Sequence, residues 1–96
     1  MLIEERCYVL HATASPADFM AAYQRSGGME LQTRILGGLV GYYATEVGEL
    51  NAIVSLWRYA SFEERQTRRA QLAAEPVWQT YLAEVRPMIQ SMSNRL

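Results

Sequence analysis

Two stretches of the chain decide the fold: Leu39–Val47, which reads LVGYYATEV, and Leu50–Tyr59, which reads LNAIVSLWRY. Both are rich in the β-branched and aromatic residues that favour strands. They are joined near Gly48-Glu49, and so short a turn predicts an antiparallel hairpin.

The second of these strands is apolar on both faces. Ile53, Trp57 and Tyr59 share one face, and Ala52, Val54 and Leu56 share the other. An antiparallel sheet with one face in water would carry polar residues on that face. We therefore expect both faces of the sheet to be covered.

Helical segments are predicted on either side of the hairpin. Ser15-Pro16-Ala17-Asp18 combines a capping serine with a proline at the first helical position, and Gly27-Gly28 ends or kinks the helix that follows. Met29–Leu36 is a further helical stretch. After the hairpin, Ser61–Glu64 is a capping box, and Glu75-Pro76 restarts the helix because proline is tolerated in a first turn.

Strand-like segments complete the pattern, Leu2–Leu10 at the start and Met88–Leu96 at the end. The order over residues 1–96 is then β-α-β-β-α-β, that of a single ferredoxin-like α+β domain with its helices on one face of the sheet. We expect Tyr8, Trp57 and Tyr59 on the other, bare face. Exposed aromatic rings would forgo several kcal/mol, on the order of 25 cal/mol per Å². Pairing two sheets face to face recovers that energy, so the sequence predicts a homodimer in the form of a dimeric α/β barrel.

The composition excludes several functions. Nine basic and ten acidic residues give a formal charge of −1, and Arg65, Arg68 and Arg69 sit beside acids, which predicts a solvated helix face and no nucleic-acid partner. All basic residues are arginine, so lysine-based catalysis is excluded. Cys7 stands alone, which excludes a disulfide within the chain or a cysteine zinc site. We expect a cytoplasmic protein with no membrane partner, metal or cofactor.

A series of short motifs runs through the chain in order. They are Glu4 to Tyr8, Leu39-Val40-Gly41-Tyr42-Tyr43, Thr45-Glu46-Val47-Gly48, Leu50-Asn51, Leu56-Trp57-Arg58-Tyr59, Ser61, Arg65, Val85-Arg86-Pro87 and Asn94-Arg95. Together they resemble the NIPSNAP family of dimeric α/β-barrel proteins. The resemblance implies the fold and the dimer but no particular reaction. Ser55 departs from the family pattern, where many relatives have histidine, and Ser93 stands where an acid is common.

Strand alternation predicts a candidate pocket inside the dimeric barrel. If Glu46 pairs with Asn51, then Tyr42 lies opposite Ser55, whereas a slip of one residue would place Tyr43 there instead. The candidate ligand-binding residues are Arg6, Tyr8, Tyr42, Glu46, Asn51, Ser55, Trp57 and Tyr59. An aromatic-lined cavity with a few polar groups is typical of small-molecule sites.

Arg6 is the most informative of these residues. A guanidinium on an inward-facing strand must be paired, because burying it alone is costly. Glu4, Glu46 or a ligand anion could be its partner. Pairing within the protein would indicate a structural role, whereas an unpaired Arg6 would indicate an anionic or carbonyl ligand.

Two functions remain open. The first is a small-molecule binding protein or enzyme, in which Arg6 holds an anion and Glu46 or Tyr42 handles a proton. Related dimeric barrels include cofactor-free monooxygenases and muconolactone-type isomerases. The second is a non-catalytic dimeric interaction protein whose barrel is filled by side chains. His11 is expected in a solvent-facing loop and Cys7 in apolar packing, so the sequence identifies no catalytic residue and disfavours haem chemistry.

Overall fold

Four antiparallel strands form the sheet around which the molecule is built. The computed structural model describes residues 1–96, and its strands are β1 (Leu2–Leu10), β2 (Leu39–Ala44), β3 (Ala52–Tyr59) and β4 (Ile89–Arg95). Their order across the sheet is β2-β3-β1-β4. The first strand therefore lies between the third and the last, as the ferredoxin-like order of elements predicts.

Each of the two helical connections consists of two helices. They are α1 (Pro16–Arg25) and α2 (Gly28–Leu36), then α3 (Phe62–Ala73) and α4 (Pro76–Val85). A short 3₁₀ turn at Arg86–Met88 contains Pro87 and leads into β4. The predicted breaks at Gly27-Gly28 and at Glu75-Pro76 are therefore confirmed, and Gly27 takes a positive φ of 84° where the chain turns from α1 into α2.

The predicted helix caps are present. Ser15 Oγ accepts a hydrogen bond from the Asp18 N–H at 3.1 Å, and the Asp18 carboxylate accepts one from the Ser15 N–H at 3.1 Å. In α3, Ser61 Oγ accepts from the Glu64 N–H at 3.1 Å, but the Glu64 carboxylate reaches the N–H of Ala60 instead of that of Ser61. Both caps satisfy N–H groups that a helix start leaves without partners.

The connection between β2 and β3 is longer than predicted. The sequence predicts strands to Val47 and from Leu50, but β2 ends at Ala44 and β3 begins at Ala52. The reason is tertiary: Asn51 has a left-handed φ of 57°, and its amide donates to the carbonyl of Ala14 at 3.1 Å. This anchor holds the loop against the segment that follows β1. The predicted pairing of Glu46 with Asn51 is therefore wrong, since both residues lie outside the strands.

The aromatic residues lie on the face that the helices cover, so our assignment of Tyr8, Trp57 and Tyr59 to the bare face is wrong. Trp57 is fully buried, and the ring of Tyr8 lies 5.9 Å from that of Phe19 in α1. The helices present aromatic rings of their own, and packing ring on ring within one chain buries the largest apolar areas. This face carries the core of the molecule.

The other face of the sheet is uncovered and mainly aliphatic. We call it the open face, and by strand register it includes Ile3, Cys7, Val9, Tyr43, Val54 and Leu56. Of these six, Ile3 and Tyr43 are exposed and the others are half-buried. The charged residues Glu5 and Arg58 lie on the same face. The prediction that both faces are apolar is confirmed, although the residues on the two faces are exchanged. Tyr42 lies opposite Ser55 on the helix-covered face, so Tyr43 is the residue on the open face.

Replacing Trp57 by alanine should strongly destabilise the fold. Removal of a large buried side chain from a close-packed core costs about 3–5 kcal/mol in the free energy of unfolding. Urea unfolding at a fixed protein concentration measures the loss. Val47→Ala, in the exposed loop, is the control and should change the unfolding free energy by less than about 0.5 kcal/mol. Equal stability of the two variants would contradict the assignment of Trp57 to the core.

Candidate functional site

A buried carboxylate lies at the centre of the candidate site. Glu4 in β1 has no exposed surface, and its side chain faces the helix-covered side of the sheet. Its Oε2 accepts hydrogen bonds from Arg6 Nη1 at 3.0 Å, Arg65 Nη2 at 2.8 Å and Asn94 Nδ2 at 2.9 Å. Its Oε1 accepts from Arg65 Nε at 3.2 Å. We call these four residues the Glu4 cluster.

Three elements bring the Glu4 cluster together. Arg6 follows Glu4 by two residues in β1 and therefore lies on the same face of the strand. Asn94 in β4 is the direct neighbour of Arg6 in the antiparallel register. Arg65 reaches down from the first part of α3, whose start is fixed by the Ser61 cap. The cluster thus joins the sheet to the helical layer.

The charges of the Glu4 cluster do not balance. Burial opposes ionisation of Glu4, but the hydrogen bonds from Arg65 and Asn94 and the charge of Arg6 lower its pKa from 4.5 to about 2. One carboxylate therefore faces two guanidinium groups. A carboxylate has about four lone-pair positions, and Glu4 already accepts four hydrogen bonds. The cluster retains a surplus positive charge and unused N–H groups.

Asn94 is the exposed member of the cluster, and both arginines are partly accessible. Arg6 is slightly more accessible than Arg65. Its side chain is 17% exposed, and its Nε donates to the hydroxyl of Tyr8 at 3.0 Å. Of the partners we considered for Arg6, the structure assigns Glu4 and not Glu46. The pairing shows a structural role for Arg6, while the saturation of Glu4 leaves part of the guanidinium free for a further acceptor.

A second pair of buried polar groups lies beside the cluster. The hydroxyl of Tyr59 and Nη1 of Arg69 are both buried without a hydrogen-bond partner. Burial raises the pKa of the Tyr59 phenol, and the nearby charge of Arg69 opposes that effect. Arg65 and Arg69 are four residues apart in α3 and so share one side of the helix. The prediction that this arginine-rich face is solvated is therefore wrong for Arg65, whose side chain is 13% exposed.

The remaining predicted pocket residues fall into two groups. Tyr42, Ser55 and Trp57 belong to the packed core, where Trp57 Nε1 donates to Ser55 Oγ at 3.0 Å and the Tyr42 ring lies 4.9 Å from that of Tyr23. Burial raises the pKa of Tyr42, so its phenol stays protonated at neutral pH. Glu46 and Asn51 lie in the loop and do not join the cluster.

Most of the predicted pocket residues do not line a surface cleft. Of the predicted residues only Tyr59 lines one of the five main clefts, a groove of about 500 Å³ that it forms with residues including Gly38 and Arg68. The space between sheet and helices is occupied by side chains. Of the Glu4 cluster, Asn94 lines one of these clefts, a groove of about 360 Å³ that it forms with residues including Ser93 and Arg95.

Other reactive residues are not assembled into a site. Burial raises the pKa of the Cys7 thiol on the open face, and the carboxylates of Glu49 and Glu5 raise it further, which keeps the thiol protonated. No group of three or more histidine, cysteine, aspartate or glutamate side chains is placed to bind a metal ion. None of the helices is long and apolar enough to cross a bilayer.

Comparison with known proteins agrees with this architecture. The topology defines a ferredoxin-like α+β domain with one sheet face left open. The NIPSNAP family model matches residues 3–96, and the chain belongs to the NIPSNAP family. A NIPSNAP family protein with unknown function from Agrobacterium tumefaciens is 38% identical, with a TM-score of 0.90 over 97% of this chain and 82% of that one. The resemblance predicted from the sequence is thereby confirmed.

The curated relative is a longer protein. A NipSnap homolog from Dictyostelium discoideum is 39% identical over 56 residues, which are 58% of this chain but only 25% of that protein. Two more distant structures share the fold alone. They are a dimeric ferredoxin-like protein from an uncultured marine organism, 14% identical with a TM-score of 0.70, and an antibiotic biosynthesis monooxygenase, 10% identical with a TM-score of 0.65.

The Glu4 cluster should make stability depend on acid pH. Because the folded-state pKa of Glu4 lies below its ordinary value, the cluster stabilises the fold fully above pH 4.5 and loses this contribution as the pH falls toward 2. The shift corresponds to about 3 kcal/mol. Urea unfolding at pH 7 and at pH 3 should show a loss of about 2 kcal/mol of it, because in the folded protein Glu4 is still mostly ionised at pH 3.

Glu4→Gln should cost about 3–5 kcal/mol at pH 7, because Arg6 and Arg65 lose their carboxylate partner. Its unfolding free energy should also fall less between pH 7 and pH 3 than that of the wild type. Glu63→Gln, on the exposed side of α3, is the matched control. A Glu4→Gln variant as stable and as pH-dependent as this control would rule out a stabilising role for the cluster.

Proposed function

We propose that this protein is a homodimer that binds a small anionic molecule at the Glu4 cluster. The observation that carries the proposal is the saturation of Glu4. Its carboxylate has accepted four hydrogen bonds. The guanidinium of Arg6 spends its Nε on Tyr8 and its Nη1 on Glu4, so its Nη2 makes no hydrogen bond within the protein. Desolvated guanidinium groups bind carboxylates and other oxyanions through strong, charge-assisted hydrogen bonds.

The position of Arg6 supports binding from solvent. Its side chain remains partly exposed, as does that of Arg65, while the carboxylate of Glu4 behind them is fully buried. A ligand anion would thus bind to a guanidinium that is already oriented by Glu4 and Tyr8. Such pre-organisation reduces the side-chain entropy lost on binding.

The open face supports the homodimer. Over the middle strands β1 and β3 most of its residues are apolar, with Glu5 and Arg58 the charged exceptions, and an exposed apolar patch on a sheet favours burial against a partner. We propose that the open face of one copy packs against the open face of a second copy. The dimeric ferredoxin-like protein that shares this fold is consistent with such an arrangement.

A non-catalytic interaction protein is the second candidate. The packing of Tyr23, Tyr42 and Trp57 favours it, because these rings fill the space that a ligand would occupy between sheet and helices. In that case the dimer would form without a ligand site. The two candidates therefore differ in their response to anions and agree on the oligomeric state.

Leu56→Arg should break the dimer. Leu56 lies on the open face opposite Glu5, whose carboxylate is already paired with Arg95. A new guanidinium at this position would therefore be buried in the interface without a free partner, which is strongly unfavourable. Native mass spectrometry should give twice the chain mass of 10.9 kDa for the wild type and the single mass for the variant. Val47→Arg in the exposed loop is the control, and circular dichroism checks that the fold is retained. A dimeric Leu56→Arg variant, or a monomeric wild type, would contradict the proposed interface.

Anion binding should raise the melting temperature of the wild type but not of Arg6→Gln. A ligand that binds only the folded state raises the free energy of unfolding. The increase grows with the logarithm of the ligand concentration once this exceeds the dissociation constant. Sodium acetate is the probe, compared with sodium chloride at equal ionic strength to remove screening effects. Arg6→Gln should remain folded, because Arg65 and Asn94 still bind Glu4.

Arg25→Gln is the matched control for charge removal. Arg25 lies on the surface of α1, where it pairs with Glu84 far from the cluster. This variant should respond to acetate like the wild type. If Arg6→Gln kept the response, the assigned site would be wrong. If the dimeric wild type bound no anion, the interaction-protein candidate would replace the first.

A further inference from the structure

We infer that the anion bound at the Glu4 cluster is the head group of an apolar monocarboxylate. This inference rests on the proposed anion-binding function and adds the class of ligand. It follows from the charge of the cluster and from the side chains that neighbour it along β1 and β4.

The charge of the cluster selects a monoanion. Arg6 and Arg65 carry two positive charges, and the ionised Glu4 neutralises one of them. One further negative charge therefore completes the balance, whereas a dianion would bring a second negative charge close to Glu4. The planar guanidinium of Arg6 also matches the two oxygens of a carboxylate.

The strand register places an apolar position next to the cationic one. On the helix-covered side of the sheet, Arg6 is opposite Asn94, and the next pair on that side is Tyr8 opposite Met92. The Tyr8 hydroxyl accepts a hydrogen bond from Arg6, so its ring extends between the polar and the apolar pair. A molecule with its carboxylate on Arg6 and its apolar part over Tyr8 and Met92 would follow the two strands.

Met92 is an exposed apolar residue whose position this arrangement explains. It is 61% exposed and is the only apolar side chain between Gln90 and Arg95, in a strand that otherwise presents polar residues to solvent. A methionine side chain is flexible and polarizable and adapts to apolar ligands of different shape. An apolar ligand tail would cover it and gain on the order of 25 cal/mol per Å² of buried apolar surface.

The test compares three anions, acetate, hexanoate and phosphate, as sodium salts at equal ionic strength. Protein labelled with ¹³C at the methionine methyl groups reports the position of the tail, and backbone amide signals report the affinity. We expect hexanoate to bind about tenfold or more tightly than acetate, phosphate to bind more weakly than hexanoate, and the Met92 methyl signal to shift with hexanoate only.

Met92→Ser separates the tail from the head group. We expect it to reduce the advantage of hexanoate over acetate to less than about threefold while acetate affinity stays unchanged. Val47→Ser, at another exposed apolar position, should keep the full advantage. Equal affinities for acetate and hexanoate, no effect of Met92→Ser, or tightest binding of phosphate would each overturn this inference and leave the proposed anion site in place. Absence of binding by all three anions would overturn both.

Discussion

The buried carboxylate of Glu4 is the constraint on which the rest of the structure depends. An ionised group without access to water is tolerated only when its hydrogen bonds and charge are compensated. Compensation here requires a residue of the same strand, one from the last strand and one from a helix, so the positions of three elements are fixed by a single side chain. Two arginines compensate one carboxylate, so the cluster keeps a surplus positive charge. That charge is the basis of the proposed anion binding.

The two faces of the sheet divide the apolar residues by type. Aromatic rings from sheet and helices pack together in the core, whereas the apolar side chains of the open face are mostly smaller and aliphatic, with Tyr43 the exception. Rings suit the interior of one chain because each buries a large area against neighbours of defined orientation. Aliphatic side chains make a flatter surface, which suits contact with an identical sheet. The division leaves the polar cluster at the margin of the core, where Asn94 is exposed to solvent and Arg6 is partly accessible.

Much of this architecture could be predicted from local sequence. Serine caps, the glycine pair and the proline restart predict the helix bounds because their effects are confined to one turn. The hairpin was predicted less well, since the anchor of Asn51 on Ala14 is a contact between distant segments. The same limit applies to the faces of the sheet: alternation shows that two faces exist, but not which one the helices cover. For the same reason, the sequence alone could not show that Arg65 and Asn94 belong to the site, because only the folded structure brings them to Glu4.

The Glu4 cluster joins the two ends of the described chain, because Asn94 lies 90 residues beyond Glu4. A growing polypeptide therefore exposes the carboxylate early, meets Arg65 only after most of the sheet and the start of α3 have been synthesised, and meets Asn94 last. Closing so long a loop costs entropy that local contacts do not repay. Until β4 pairs with β1, the carboxylate lacks the hydrogen bond from Asn94. The last strand of the sheet therefore completes the set of hydrogen bonds to a group on the first.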